Sequence, residues 1–80
     1  MDFDQEKVDE VVLALLFLTM HGSHGETRAW KSHDWETMNR LFAKGYIFDP
    51  QNKSKSVLMT EGGAARSKEL FEKFFGKSSD

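Results

Sequence analysis

Eighty residues make one domain, and a domain of that size buries only about 60 to 65% of the surface its unfolded chain exposes. The chain has no cysteine, which excludes disulfides and thiolate metal sites and leaves self-association as the ordinary way to add stability. With 39% hydrophobic residues against 30% charged ones it is no disordered tail. No apolar run approaches the roughly 18 residues that span a bilayer, and no basic segment leads into a signal core, so a folded cytoplasmic protein is expected.

The net charge of −2 is unevenly spread along the chain. Residues 1–27 carry one base and six acids (−5), residues 28–59 six bases and three acids (+3), and residues 60–80 four of each (0). The middle third is therefore the electrostatic footprint open to a polyanion, and the first third would repel one.

The first element predicted is a helix over about 4–20. Asp2 or Asp4 can accept backbone N–H bonds at its start, Glu6 suits the positive end of the macrodipole, and Gly22 can supply a left-handed cap just past its end. Its interior, Val11-Val12-Leu13-Ala14-Leu15-Leu16-Phe17-Leu18, is apolar on every face, so more than one neighbour must cover it, one of them a second copy of the chain. From Gly22 to Lys31 glycine and polar residues read as a loop, with Arg28-Ala29-Trp30-Lys31 as a short strand within it.

A second helix is predicted over about 33–44, capped by Ser32 or Asp34 and stopped by Gly45. It places Trp35, Met38, Leu41 and Phe42 on the core face and Glu36, Thr37, Asn39, Arg40, Ala43 and Lys44 on a solvent face that would meet a partner. A hairpin over about 46–59 follows, with Asp49-Pro50-Gln51-Asn52 as its turn and Lys53 and Lys55 at its tip. Thr60 then caps a last helix over about 61–75, whose Leu70, Phe71, Phe74 and Phe75 form one apolar stripe before Gly76. The result is a small α+β, winged-helix-like domain spanning 1–80 in the order α-(β)-α-β-β-α.

Leu41-Phe42-Ala43-Lys44-Gly45-Tyr46-Ile47 and Met59-Thr60-Glu61-Gly62-Gly63 carry a resemblance. Over residues 32–75 the chain resembles winged-helix regulators of the multiple-antibiotic-resistance (MarR) type. In those proteins a recognition helix ends in a Leu-x-x-x-Gly motif, a wing follows, and Leu-Thr-x-x-Gly opens the next helix. The whole chain, with its Asp-Phe-Asp start, Trp30, Asp34-Trp35, Lys-Gly-Tyr-Ile and Lys-Ser-Val, is also similar to a family of short bacterial proteins classed as a domain of unknown function. The regulator resemblance implies DNA binding; the second implies no activity. Between Gly22 and Ser32 there is too little chain for the positioning helix of a standard winged helix.

On the DNA reading, Asn39 and Arg40 reach base edges while Lys44, Lys53 and Lys55 neutralise phosphates. On the plainer reading these residues form a solvated helix face and a wing kept soluble by lysine, and Asp34 and Glu36 at the same helix start favour it. Val12, Leu16, Phe71, Phe74 and Phe75 are the candidate homodimer interface, or the seat of a partner protein's helix. Trp35 is assigned to the core, and Trp30 stands between core and stacking platform.

His21, His24 and His33 with Glu26 offer three imidazoles and a carboxylate to a divalent ion, but nothing visible fixes the rings, so no metal site is expected. Gly62-Gly63 lacks the lysine and spacing of a phosphate loop and reads as a structural turn. No nucleophile motif accompanies the histidines, so neither enzyme activity nor a cofactor is expected. The expectation is a homodimeric interaction or adaptor module, with a DNA-binding regulator using the 34–44 helix and the 49–55 wing as the alternative.

Overall fold

Asp4 starts the first helix by accepting the backbone N–H of Lys7 at 3.1 Å, and α1 runs over Gln5–Leu16. The computed structural model describes residues 1–23, 25–31 and 34–77. After α1 the chain tightens into a 3-10 turn at Phe17–Thr19 and turns extended at Met20. The helix thus stops short of the expected 20, and Gly22 caps nothing: it lies in β1, His21–Ser23.

The segment expected to be a loop with one short strand is a hairpin. β1 pairs antiparallel with β2, Glu26–Trp30, in the register His21 with Arg28 and Ser23 with Glu26. Gly25 sits in its turn at φ +79°, the left-handed conformation that glycine adopts without strain. The glycines that read as loop are the means of a tight reversal.

The second helix, α2, covers Trp35–Ala43; Asp34 caps it by accepting from the Thr37 N–H at 3.2 Å, while Ser32, the other cap considered, lies outside the described residues. Its end is a Schellman motif: Gly45 takes φ +81°, its N–H reaches the Phe42 carbonyl at 3.0 Å, and the Tyr46 N–H reaches that of Leu41 at 3.0 Å.

The expected 46–59 hairpin contracts to a single bridge between Ile47 and Met59. Residues 49–55 form no ladder because Pro50 has no N–H to give and side chains bond the backbone of their neighbours instead, Asp49 accepting from the Gln51 N–H and Asn52 from that of Ser54, both at 2.9 Å. Strand β3, Ser56–Leu58, pairs antiparallel with β2, giving a three-stranded sheet β1-β2-β3. The observed order is α-β-β-α-β-α rather than α-(β)-α-β-β-α.

The last helix, α3, covers Glu61–Phe75 and is capped as predicted, Thr60 accepting from the Gly63 N–H at 2.9 Å. The Thr60 hydroxyl lies 2.7 Å from the Gly45 carbonyl and 3.1 Å from that of Tyr46, which presses the start of α3 onto the end of α2. A Cβ on Gly63 would fall onto the Tyr46 carbonyl, whereas one on Gly62 would meet nothing. The pair is therefore structural at its second position only.

Helices α1 and α3 pack closely, with the buried Ser67 hydroxyl donating to the Leu13 carbonyl at 2.6 Å. The core joins Leu13, Leu16 and Leu70 of these helices to Met38 and Leu41 of α2, to Ala29 and Val57 of the sheet, and to Ile47 and Met59 of the bridge. None of the described helices is long and apolar enough to cross a membrane.

Candidate functional site

Asp9 occupies the same stripe of α1 as Val12, Leu13 and Leu16, at the i, i+3, i+4 and i+7 positions, and is 1% exposed. A buried carboxylate must be paired, and the partners come from α2. Arg40 places its Nε 2.8 and 3.0 Å from the two oxygens, and Lys44 its Nζ 2.8 Å from Oδ2. Lys44 also reaches Glu6 at 2.8 Å, and Arg40 donates to the Thr37 hydroxyl at 3.1 Å. Hydrogen bonds to Asp9 first and to Glu6 second raise the Lys44 ammonium above its usual pKa of 10.5, outweighing desolvation.

This cluster explains why the expected faces of α2 are rotated. Thr37 is buried, and Arg40 and Lys44 lie against α1, so only part of the predicted solvent face meets solvent. On the far side Trp35 and Phe42 are displaced outwards, so the assignment of Trp35 to the core is overturned: it is 54% exposed. The residue missed from the sequence is Asp9, and its signal was present, an acid inside an otherwise apolar stripe.

Trp35, Asn39, Gln51 and Asn52 line an open cleft of about 460 Å³ between α2 and the 49–55 loop. Lys31 ties the loop down, its Nζ donating to the Asn52 Oδ1 at 2.8 Å and backbone oxygen at 3.3 Å, and standing 5.9 Å from the centre of the Trp35 ring. Lys53 and Lys55 are exposed on the same loop. Of the nucleic-acid candidates, the structure thus separates Arg40 and Lys44, held by carboxylates, from Asn39, Lys53 and Lys55. Trp30, half exposed, lies elsewhere, its ring 6.2 Å from that of His21.

Of the interface candidates, Val12 and Leu16 are covered within one copy. Phe71 stacks on Phe17 at 5.1 Å and on Phe75 at 5.3 Å, and Phe74 meets Phe75 at 6.2 Å, while Leu18 and Phe75 remain exposed at the rim. His24 and His33 lie outside the described residues, and among the described residues no three His, Cys, Asp or Glu side chains gather as a metal site would require. The His21 Nδ1 is 3.0 Å from the Thr19 carbonyl.

These features define a small α+β domain with an internal charge cluster, an open aromatic cleft and an aromatic helix end. The family described as "Domain of unknown function (DUF6429)" matches residues 4–77, and the chain belongs to it. It is 51% identical over 75 residues to "Uncharacterized protein y4hR" of Sinorhizobium fredii (strain NBRC 101917 / NGR234), a match covering 94% of this chain and 97% of the relative. No solved structure matches.

Proposed function

We propose that this chain is a winged-helix-like interaction module that works as a homodimer. The observation that carries the reading is the aromatic end of the α1–α3 pair. Phe17, Phe71, Phe74 and Phe75 form a continuous ring cluster, and Leu18, next in sequence to Phe17, stays 65% exposed even though α1 and α3 are already packed together. Lys7 and Lys73 stand 4.1 and 5.6 Å from the centre of the Phe74 ring, a cationic rim that can stay in water while the rings are covered. Covering such a patch with a second copy adds the burial an 80-residue core lacks. The reading assigns no catalytic role.

The winged-helix comparison is supported by the antiparallel pairing of β2 with β3 and by the Ile47–Met59 bridge that follows α2, with the 49–55 loop where a wing would be. DNA binding is the second reading, favoured by the exposed Lys53 and Lys55 on the loop that faces Asn39 across the cleft through Gln51 and Asn52. It ranks second because Arg40 and Lys44 are engaged by Asp9 and Glu6, leaving few cations for the phosphates that dominate duplex affinity.

Sedimentation equilibrium of the protein and of a Leu18→Ser, Phe75→Ser variant tests the first reading. A dimer that becomes a folded monomer in the variant is expected; a wild-type monomer at high micromolar concentration overturns it. Anisotropy of a labelled duplex at about 50 and about 200 mM salt tests the second, which requires micromolar binding at the lower salt that weakens steeply at the higher.

A further inference from the structure

We propose that the cleft between α2 and the 49–55 loop binds the ring of a neutral sugar, with the Trp35 indole as platform and the Asn39 and Gln51 amides as hydrogen-bonding partners for hydroxyls.

Trp35 is the starting point. In a short chain that needs apolar burial, a tryptophan at the first position of a helix stays 54% exposed while the neighbouring turn supplies Met38 and Leu41 to the core. Its ring is a flat apolar surface, matched by the C–H face of a pyranose.

The chemistry of the walls narrows the ligand. The lining residues are one indole and three amides, with no ionised side chain among them. None of the lining side chains carries a charge to balance a phosphate or carboxylate; the Lys31 ammonium stands at the edge, its Nζ held by the two Asn52 oxygens. An amide offers both N–H donors and a carbonyl acceptor, which suits hydroxyls that donate and accept at once. Among the described residues the Asn39 and Gln51 amide groups make no hydrogen bond, whereas the Asn52 Oδ1 is already taken by Lys31 and by the Ser54 N–H. Asn39 and Gln51 are therefore the two groups ready for a ligand.

The loop wall is set in advance. Pro50 is buried, Asp49 accepts from the Gln51 N–H, the Asn52 N–H reaches the Pro50 carbonyl at 3.0 Å, and the Lys31 N–H holds the Lys55 carbonyl at 2.8 Å. A wall fixed this way lowers the ordering cost of binding. The volume of about 460 Å³ falls in the range of roughly 300 to 1,000 Å³ usual for small-molecule clefts.

The test is a titration of the ¹⁵N-labelled full chain with maltose, cellobiose, lactose and mannobiose, following the indole N–H of Trp35 and the side-chain NH₂ groups of Asn39 and Gln51. Saturable shifts of these three signals by at least one disaccharide, with Kd about 1 mM, are expected. Trp35→Ala should weaken that binding at least tenfold, Trp35→Phe should retain most of it, and Trp30→Ala should leave it unchanged, each variant giving a wild-type amide spectrum away from the cleft. Absence of saturable shifts with all four sugars overturns the proposal, as does binding that survives Trp35→Ala. Tighter saturation of the same signals by a short oligothymidylate than by any sugar also overturns it and reassigns the cleft to single-stranded nucleic acid.

Discussion

Replacing Asp9 by alanine should cost this domain a large share of its stability. The carboxylate is 1% exposed and accepts from the Arg40 Nε at 2.8 and 3.0 Å and the Lys44 Nζ at 2.8 Å, so its removal leaves two cations facing the gap. Breaking a buried ion pair from one side costs about 3 to 5 kcal/mol. Here the side chains of Arg40 and Lys44 are 24% and 31% exposed and can turn partly to water, which places the loss near about 2 to 3 kcal/mol. A domain of this length holds about 4 to 12 kcal/mol in total. With a urea m-value of about 1 kcal/mol/M, the midpoint should fall by about 2 to 3 M.

Urea unfolding followed by circular dichroism reads that shift directly. A double-mutant cycle with Arg40→Ala should show a coupling of at least about 1 kcal/mol, because the two single variants remove the same bond. A fall below about 0.5 M, or a coupling near zero, would refute the view that this charge cluster joins α1 to α2. Asp9→Leu combined with Arg40→Leu should recover most of the loss, since a buried pair replaced by apolar side chains is commonly neutral. On the DNA-binding reading, Asp9→Asn gives a second readout: it removes the charge that engages Arg40 and Lys44, and low-salt duplex binding should rise relative to wild type.

Gly63→Ala should destabilise by about 2 kcal/mol or more in the same urea assay, because its Cβ would meet the Tyr46 carbonyl, while Gly62→Ala should stabilise by about 0.5 to 1 kcal/mol. The Lys44 pKa is raised in the folded state, so its contribution should be complete below pH 10.5 and lost as pH rises through the raised value; Lys44→Met should flatten that alkaline slope of stability. Thr60→Ala should cost about 1 kcal/mol of thermal stability through the lost cap on the Gly63 N–H.

Features governed by neighbours in sequence were legible, and features governed by distant ones were not. The Asp34 and Thr60 caps and the Gly45 stop lie within a few residues of the groups they satisfy, and each stands where local chemistry places it. The β1–β2 hairpin was hidden because Gly22, Ser23 and Gly25 have the composition of a loop, and the pairing of β3 with β2 was missed because β2 lies 26 to 30 positions away, while the expected partner keeps the Ile47–Met59 bridge and the Phe48 N–H bond to the Leu58 carbonyl. The candidate cleft was illegible for the same reason: it needs Trp35 and Asn39 to face Gln51 and Asn52, and that meeting depends on how α2 is rotated.

That rotation leads back to Asp9. A helix with Trp35, Met38, Leu41 and Phe42 on one side would, by apolar periodicity alone, bury all four. The observed helix buries Thr37, Met38 and Leu41 and leaves Trp35 and Phe42 outside. An uncompensated carboxylate inside the core would cost more than the burial of the two aromatic side chains contributes, about 1.5 to 3 kcal/mol each, so the helix turns its Arg40 and Lys44 edge toward Asp9 and its Trp35 edge outward. One acid on α1 thereby withdraws cations from the face a nucleic acid would need and exposes the ring that a sugar would use. If Asp9 sets the rotation, Asp9→Leu with Arg40→Leu and Lys44→Met should shift Trp35 fluorescence to the blue as the ring moves toward the core. An unchanged emission maximum would mean that the sheet and the Gly45 turn hold α2 in place without the charge cluster.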